Sequence, residues 1–147
     1  MKVSTKGRYG LRAMVDLAIH SSDGHVALNA IADRQDISVN YLEQVFSTLR
    51  KAGLVRSVKG AQGGYMMTMR PSQMTVGMIL RALEGKLVVV DETENTGADR
   101  SVQHCIQMMV WDVMTETVNT MVDQMTLEKL VNEYRNLSGK ETSVYFI

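Results

Sequence analysis

Residues 37–65 have the sequence ISVNYLEQVFSTLRKAGLVRSVKGAQGGY, in which a helical pattern is followed by the pattern of a β-hairpin. In the first half, apolar side chains recur at the three- and four-residue spacing that gives a helix one buried stripe, namely Leu42, Val45, Phe46 and Leu49. Ser38 or Asn40 can cap the start of this helix, and Gly53 can end it. The polar side chains between the apolar positions are therefore predicted to face outward.

The second half of the stretch contains two short runs typical of strands, residues 55–59 and 65–70, on either side of the glycine-rich residues 60–64. This pattern predicts a hairpin with its tip at the glycines. A helix with a polar outer face followed by a basic hairpin is the order of elements in a winged helix-turn-helix. Because solvated polar faces are common on helices of all kinds, a DNA-binding interpretation needs support from the distribution of charge.

The formal net charge of zero is unevenly distributed. Residues 1–86 contain 12 Lys and Arg against 6 Asp and Glu, whereas residues 87–147 contain 4 against 10. A basic first half is suited to binding a polyanion such as DNA, and an acidic second half indicates a different role for that part of the chain. We predict a mainly α fold with a small β-hairpin, consisting of a winged helix-turn-helix DNA-binding domain (residues 1–85) followed by a signal loop, a dimerisation helix and a C-terminal tail (residues 86–147).

Length and composition exclude several classes of protein. A chain of 147 residues with 45% hydrophobic and 22% charged residues can bury a core and is not of the disordered type. No apolar run approaches the roughly 20 residues that a membrane span needs, and residues 1–6 lack the apolar segment of a secretory signal. The single cysteine cannot form an internal disulfide. We therefore expect a cytoplasmic protein with no membrane association.

The elements before the opening stretch complete a helix-turn-helix. A first helix has an apolar stripe and cations near its start, and residues 21–24 end it in a turn. A short second helix includes Leu28, Ile31 and Ala32, and residues 35–38 form the turn into the polar-faced helix. Two helices joined by a tight turn, the second with groove-capable side chains, are typical of DNA-binding proteins.

Beyond the hairpin, Thr75 is predicted to cap a helix that ends at Gly85, residues 86–90 could form a strand, and residues 91–101 are predicted to form a loop. Residues 104–125 then form a helix whose apolar positions cover more than one narrow stripe. Such a helix needs a partner, most simply its symmetry mate, although a core helix of a larger domain would show the same pattern. The candidate dimerisation residues are Met109, Val110, Val113, Met114, Val118 and Met121. A shorter helix capped by Thr126 should follow.

Four motifs resemble the Rrf2 family of bacterial transcription regulators: STKGRYG at residues 4–10, YLEQ at 41–44, LRKAGLV at 49–55 and GGY at 63–65. Further similarity at residues 76–84 and 105–131 extends the resemblance over most of the chain. The resemblance implies a winged helix-turn-helix with a long dimerisation helix, which binds pseudo-palindromic operators as a homodimer. We expect a repressor of this kind.

The candidate DNA contacts divide into two groups by chemistry. Asn, Gln and Glu at the outward face of the polar helix can read base edges, while Lys, Arg and Ser can hold phosphates, and the hairpin tip can approach the minor groove. The full set is Lys2, Ser4, Lys6, Arg8, Ser38, Asn40, Tyr41, Glu43, Gln44, Arg50, Lys51, Arg56, Lys59 and Gln62.

The chain differs from the cluster-binding members of the family. Those members hold an iron–sulfur cluster with three cysteines near the start of the long helix, and here only Cys105 occupies one of these positions. The neighbouring carboxylates and imidazole, from Asp91, Glu92, Glu94, Asp99 and His104, do not make a three-thiolate set. We therefore expect no cofactor and no metal site, although a cluster bridged between two subunits by one cysteine each stays open.

Two other functional classes are compatible with parts of the sequence. His104 beside Cys105 resembles a base and nucleophile, but neighbours on a helix point about 100° apart, so we predict that the protein is not an enzyme. A winged-helix protein-interaction module without sequence-specific DNA binding is the remaining alternative. Salt-dependent binding to duplex DNA would distinguish it from a regulator.

Two candidate signal inputs lie in the second half. Cys105 could sense oxidants or electrophiles, although a free cysteine is as often a small buried residue. The apolar end at residues 142–147 follows the flexible-looking residues 138–141 and could pack on its own dimer. It also resembles the end of the Rrf2 members that repress cysteine metabolism and act with cysteine synthase. On that resemblance Tyr145, Phe146 and Ile147 would bind this enzyme as a partner.

Overall fold

The computed structural model describes residues 1–91 and 101–145, with the backbone alone for residues 140–145 and Asp23. Helices α1 (Thr5–Ile19), α2 (Leu28–Gln35) and α3 (Val39–Lys51) are followed by strands β1 (Val55–Val58) and β2 (Gly64–Met67) and by helix α4 (Val76–Glu84). Then come α5 (Val102–Ile106), a π-helical turn (Gln107–Trp111), α6 (Asp112–Gln124) and α7 (Leu127–Tyr145). The prediction of a mainly helical chain with a two-stranded hairpin is confirmed.

One core joins the first four helices. The apolar stripe of α3, predicted from its spacing, is completely buried and packs against α1, α2 and α4. Phe46 of α3 also lies against Tyr65 of the hairpin, with 4.9 Å between ring centroids. Leu127 and Val131, in the first turns of α7, are buried in the same core, so the last helix is anchored to the first half of the chain.

The ends of the helices follow the local sequence signals. Ser38 caps α3, and its hydroxyl accepts a hydrogen bond of 3.2 Å from the Tyr41 N–H. Gly53 ends α3 with a φ of +80°, which places the Leu54 N–H 3.0 Å from the Leu49 carbonyl. Thr75 caps α4 and Gly85 ends it, as the sequence predicts. Between α2 and α3, Asp36 adopts a φ of +54°, a left-handed conformation that aspartate tolerates and that makes the turn tight.

The hairpin is antiparallel, and its register pairs Val55 with Met67 and Val58 with Gly64. Val26 adds a one-residue bridge on the other side of β2, through two hydrogen bonds of 2.9 Å with the Tyr65 backbone. Gly64 lies so close to the Val26 carbonyl that a Cβ would overlap it. Gly64 therefore has a steric role, because only a residue without a side chain lets Val26 approach β2 this closely.

Two predictions about the second half are wrong. Residues 86–90 are not a strand. The backbone of Leu87 and Val89 is instead hydrogen-bonded by side chains of α6. In addition, the helix after Thr126 is not short, because α7 is 19 residues long and includes residues 138–141. One glycine costs a helix only about 1 kcal/mol relative to alanine, which the anchored first turns of α7 can offset.

The predicted helix at residues 104–125 is present as a continuous helical run from Val102 to Gln124, interrupted in its winding by the π-helical turn. Ser101 caps this run through a 3.0 Å hydrogen bond from the His104 N–H. Within the described residues, no helix is long and apolar enough to cross a membrane. Most of the predicted loop, together with Glu92, Glu94 and Asp99, lies outside the residues that the structure describes.

Candidate DNA-binding surface

Helix α3 presents a polar face to solvent because its apolar stripe is buried in the core. Asn40, Glu43 and Gln44 are exposed in its first two turns, and Arg50 and Lys51 are exposed in its last turn. The two cations lie where the helix dipole favours positive charge. The face therefore has neutral and acidic hydrogen-bonding groups at one end and cations at the other. This is the order in which a recognition helix contacts base edges and then phosphates.

Tyr41 is half-buried and is held by aromatic packing. Its ring meets Tyr9 of α1 edge to face, with centroids 6.1 Å apart and planes at 84°. The guanidinium groups of Arg12 and Arg8 lie 5.2 and 5.9 Å from the Tyr9 centroid. A cationic and aromatic cluster thus connects the start of α1 to the start of α3, and it orients the first turn of the recognition helix.

The hairpin contributes a second exposed cationic element. Arg56, Lys59 and Gln62 are exposed along it. The guanidinium of Arg56 donates a 3.6 Å hydrogen bond to the Met66 sulfur across the strands. A ring nitrogen of His25 is hydrogen-bonded to the Gln62 carbonyl, which ties the hairpin tip to the body of the domain. No local sequence pattern indicates this contact, because the two residues are far apart along the chain.

The start of α1 forms the third element. Lys2 and Arg8 are exposed and Lys6 is half-buried. Ser4 caps α1, where its hydroxyl accepts from the Gly7 N–H at 3.3 Å and donates to the Glu84 carboxylate of α4. The Ser4 N–H donates to the same carboxylate at 2.9 Å. Ser4 therefore has a clear structural role in fixing the basic end of α1, whatever contact it makes with DNA.

A buried polar network, which was not predicted from the sequence, holds the helix-turn-helix together. Asp16 of α1 is only 2% exposed and accepts a fork of hydrogen bonds of 2.7–3.3 Å from Arg34 of α2. Gln35 donates to the same carboxylate at 2.9 Å, and His20 lies 3.4 Å away. The hydrogen bond to Asp16, and to a smaller extent its negative charge, raises the pKa of Arg34 above its ordinary value against the opposing effect of burial. In the sequence, the signal for this network is one acidic residue within an apolar stripe.

A second polar cluster joins α4 to α6. The guanidinium of Arg81 donates to both carboxylate oxygens of Asp123, at 2.6 and 2.9 Å, and to the Asn119 side-chain oxygen at 2.7 Å. These hydrogen bonds are the main reason that the pKa of Asp123 is lowered, with the positive charge of Arg81 as a further cause and desolvation opposing both. The same pairing raises the pKa of Arg81. The ion pair therefore stays charged at neutral pH.

The opposite side of α6 and the preceding turns are apolar and exposed. Met109, Val113 and Met121 are 64%, 53% and 55% exposed, and Val110 and Met114 are also exposed. Val118, the sixth candidate dimerisation residue, is half-buried. A row of large apolar side chains in water is unfavourable, and a patch of this kind commonly marks an interaction surface.

Of the two candidate signal sites, the structure describes Cys105 fully but describes only the backbone of the first residue of the tail 145–147. Cys105 is exposed within α5, so in the single chain it is not the small buried residue that the alternative interpretation requires. Tyr145 is the last residue of α7, its side chain is not described, and Phe146 and Ile147 lie outside the described residues. The proposed partner tail therefore stays a prediction.

Helices α2 and α3, joined by a tight turn and followed by an antiparallel hairpin, make the chain a winged helix-turn-helix protein. Residues 3–133 match the Rrf2 family, described as iron-dependent transcriptional regulators. The chain belongs to this family and is a DNA-binding transcriptional regulator.

Named relatives and solved structures agree with this assignment. The transcriptional regulator IscR of Aliivibrio salmonicida is 38% identical over 145 residues, which cover 96% of this chain and 84% of the relative. The structure of CymR, the global cysteine regulator of B. subtilis, is 38% identical with a TM-score of 0.77 and covers 90% of this chain and 98% of its own. The structure of T. potens IscR is 42% identical with a TM-score of 0.72, covering 91% and 88%. These relatives are regulators, which confirms that the chain is not an enzyme.

The family description names iron, but the side chains of this protein do not match the ligands of an iron–sulfur cluster. The chain contains one cysteine, whereas a cluster held within one chain is bound by several cysteine thiolates. Among the side chains that the structure describes, no group of three from His, Cys, Asp or Glu lies close enough to hold a metal ion. The residues present therefore do not fit a cluster held by three cysteines of one chain.

Proposed function

We propose that the protein is a homodimeric repressor that binds a pseudo-palindromic operator through α3, the hairpin and the start of α1. The observation that carries this proposal is the pairing of two faces on one chain. One is an exposed polar and cationic face on the winged helix-turn-helix, and the other is an exposed apolar face on α6 that a second copy would cover. A dimer with a two-fold axis presents two recognition helices to two half-sites. Repression then follows from occupation of the operator in the cytoplasm.

The alternative, a protein-interaction module with the same fold, predicts no dependence on DNA sequence and little on salt. A regulator of the proposed kind loses affinity steeply with salt because it releases counterions from phosphates. Its discrimination between operator and unrelated duplex comes from a few side chains on α3. The relatives are DNA-binding regulators, which favours the first interpretation.

The first prediction concerns base readout by α3. Glu43→Ala and Gln44→Ala should each reduce discrimination between operator and scrambled duplex by about 1–3 kcal/mol, because glutamate can accept from cytosine N4 and glutamine can pair with adenine. The preference should relax at one position in each half-site. Operators selected from genomic fragments and then footprinted supply the duplex for the titration. Wild-type discrimination by both variants would remove these residues from readout.

Lys59→Ala is the matched comparison for that experiment, since Lys59 is an exposed cation at the hairpin tip. A phosphate contact carries no sequence information, so this variant should weaken operator and scrambled duplex equally. The slope of the logarithm of affinity against the logarithm of salt concentration should flatten by about 1 for each phosphate that the variant no longer neutralises. An unchanged slope would show that Lys59 does not contact DNA.

The second prediction concerns the signal. Cys105 is exposed two residues before the π-helical segment that leads into α6. Oxidation or alkylation there would add a polar or bulky group beside the proposed dimer face, and so change operator affinity. Cys105→Ser should bind the operator normally and lose most of the response to peroxide or quinone. A serine variant that responds like the wild type, in a titration of operator binding, would exclude Cys105 as the sensor.

A second input is proposed from the cysteine regulators. The similarity to CymR supports a role in cysteine metabolism, while the IscR relatives support a different branch, so the regulon stays a proposal. In the cysteine branch, residues 145–147 would bind cysteine synthase as co-sensor. Co-purification of the synthase with the full chain but not with a chain ending at Tyr145 would support this partner. We also propose that no cofactor is required, with a cluster bridged between two Cys105 thiolates as the remaining alternative.

A further inference from the structure

Helix α6 has two faces with different roles. Its polar residues Thr115, Asn119 and Asp123 recur every fourth position, so they lie in one row along the helix. At 100° per residue, this row lies on the side of α6 away from Val113 and Met121. The DNA-binding half of the chain therefore attaches to one side of α6, and the exposed apolar face occupies the other.

Every residue of this polar row is bonded either to α4 or to the segment that follows it. Asp123 and Asn119 accept the three hydrogen bonds of Arg81 on α4. The Asn119 amide also donates to the Leu87 carbonyl at 2.8 Å, and the Val89 N–H donates to the Thr115 hydroxyl at 3.0 Å. The row thus holds both α4 and the chain that leaves it.

Close packing at Gly77 makes the Arg81 contact possible. A Cβ at Gly77 would overlap the Asp123 carboxylate and press on the Arg81 guanidinium and the Val122 side chain. Beside it, Val76, Leu80, Leu87 and Val122 form a small apolar cluster between α4 and α6. The planar fork of Arg81 adds a directional constraint to these apolar contacts, because it is satisfied in only a narrow range of arrangements of the two helices.

The ion pair is half-exposed, with the side chains of Arg81 and Asp123 36% and 49% accessible. Pairs in such surroundings contribute little to folding stability. The geometric constraint is therefore the more important property of the contact. Because a two-fold dimer through α6 fixes the relation between the two α6 helices, the angle of α4 on α6 determines where each recognition helix points.

We propose that Arg81 is a positioning residue, which fixes the DNA-binding half against α6 and thereby sets the half-site spacing that the dimer accepts. The proposal rests on the homodimer proposed above. It assigns to Arg81, Asn119, Asp123 and Gly77 an effect on DNA recognition, although none of them is among the residues expected to contact DNA.

The test measures binding to a set of operators whose half-sites are moved one base pair closer or farther apart. Each step rotates one half-site by roughly 35° and shifts it by about 3.4 Å, so a rigid dimer should strongly prefer one spacing. Arg81→Ala should lower affinity for the preferred spacing on the order of tenfold and reduce the preference itself by at least about threefold. Sedimentation and circular dichroism establish that the variant is a folded dimer.

Three further variants separate geometry from stability. Arg81→Lys keeps the charge but loses the fork, and Gly77→Ala displaces the pair without altering any charge, so both should relax the spacing preference. Exchange of the two charges, Arg81→Asp with Asp123→Arg, should restore part of the spacing preference. As a control, Arg135→Ala, which removes an exposed arginine of α7, should leave the spacing preference unchanged.

The outcomes distinguish a positioning role of Arg81 from a stabilising role. They also show separately whether the protein binds two half-sites as a dimer. If Arg81→Ala and Arg81→Lys weaken binding to all spacings by one common factor, Arg81 is a stabilising residue and the positioning proposal is wrong. If the wild type itself shows no preference for spacing, the two-half-site function is wrong, and the positioning role fails with it.

Discussion

Val113→Asp is expected to abolish the dimer and to lower operator affinity by a factor of about 100 or more, because a single chain loses the advantage of two linked half-sites. Val113 is 53% exposed in the chain, so the substitution removes no contact from the core of the protomer. In a dimer the same position would lie between two apolar helices, where an unpaired carboxylate is costly.

The measurement combines sedimentation equilibrium with operator titration. Asn132→Asp is the matched control, because it adds the same charge to an exposed polar position on α7. That variant should remain dimeric and bind normally. A Val113→Asp protein that still sediments as a dimer at wild-type concentrations would show that the exposed face of α6 is not the dimer interface.

The recognition helix and the hairpin could be predicted because their signals are local. The spacing of Leu42, Val45, Phe46 and Leu49 is a property of 8 consecutive residues, and all four are buried. Caps such as Ser38 and Thr75 act within three residues of themselves. Glycine at position 53 is required by a positive φ that arises within the predicted turn. Glycine at position 64 is required by the close approach of the Val26 backbone, which comes from a distant part of the chain.

Contacts between distant residues could not be predicted in this way. Asp16 and Arg34 are 18 residues apart, and Arg81 and Asp123 are 42 apart, so no periodic pattern relates the partners. The residues 86–90 have the composition of a strand, but strand formation depends on a neighbouring strand edge, and α6 side chains bind this backbone instead. The length of α7 likewise depends on its anchored beginning and not on residues 138–141.

The candidate DNA-binding surface also contains residues with a local sequence signal and residues without one. Charge and residue type predict a set of side chains for DNA contact, and Glu43, Gln44 and Lys59 of this set are exposed. The residues that orient this surface were not identified, because Tyr9, Asp16 and Arg81 act through side-chain contacts between helices. Patterns within short stretches of sequence therefore indicate the candidate binding residues, but they do not indicate the residues that position them.

Asp16→Ala is expected to destabilise the fold by about 2–4 kcal/mol. Removal of one partner from a buried ion pair typically costs about 3–5 kcal/mol, and the lower range applies because Arg34 is partly exposed and can regain water. The loss includes the hydrogen bond from Gln35, whose side chain would be left without this partner. Because Asp16 joins α1 to the end of α2, the turn into the recognition helix should loosen as well.

Unfolding by urea at one fixed protein concentration gives the change in stability, since a dimer's stability depends on concentration. Asp33→Ala is the control, because Asp33 is an exposed aspartate on α2, the helix that contains Arg34, and its loss should change stability by no more than about 0.5 kcal/mol. For Asp16→Asn, which keeps the shape and loses the charge, the loss of stability should lie between those of Asp16→Ala and Asp33→Ala. Arg34→Ala combined with Asp16→Ala should cost less than the sum of the single changes, because the two groups share one interaction. Equal and small losses for Asp16→Ala and Asp33→Ala would mean that the buried network does not hold the helix-turn-helix together.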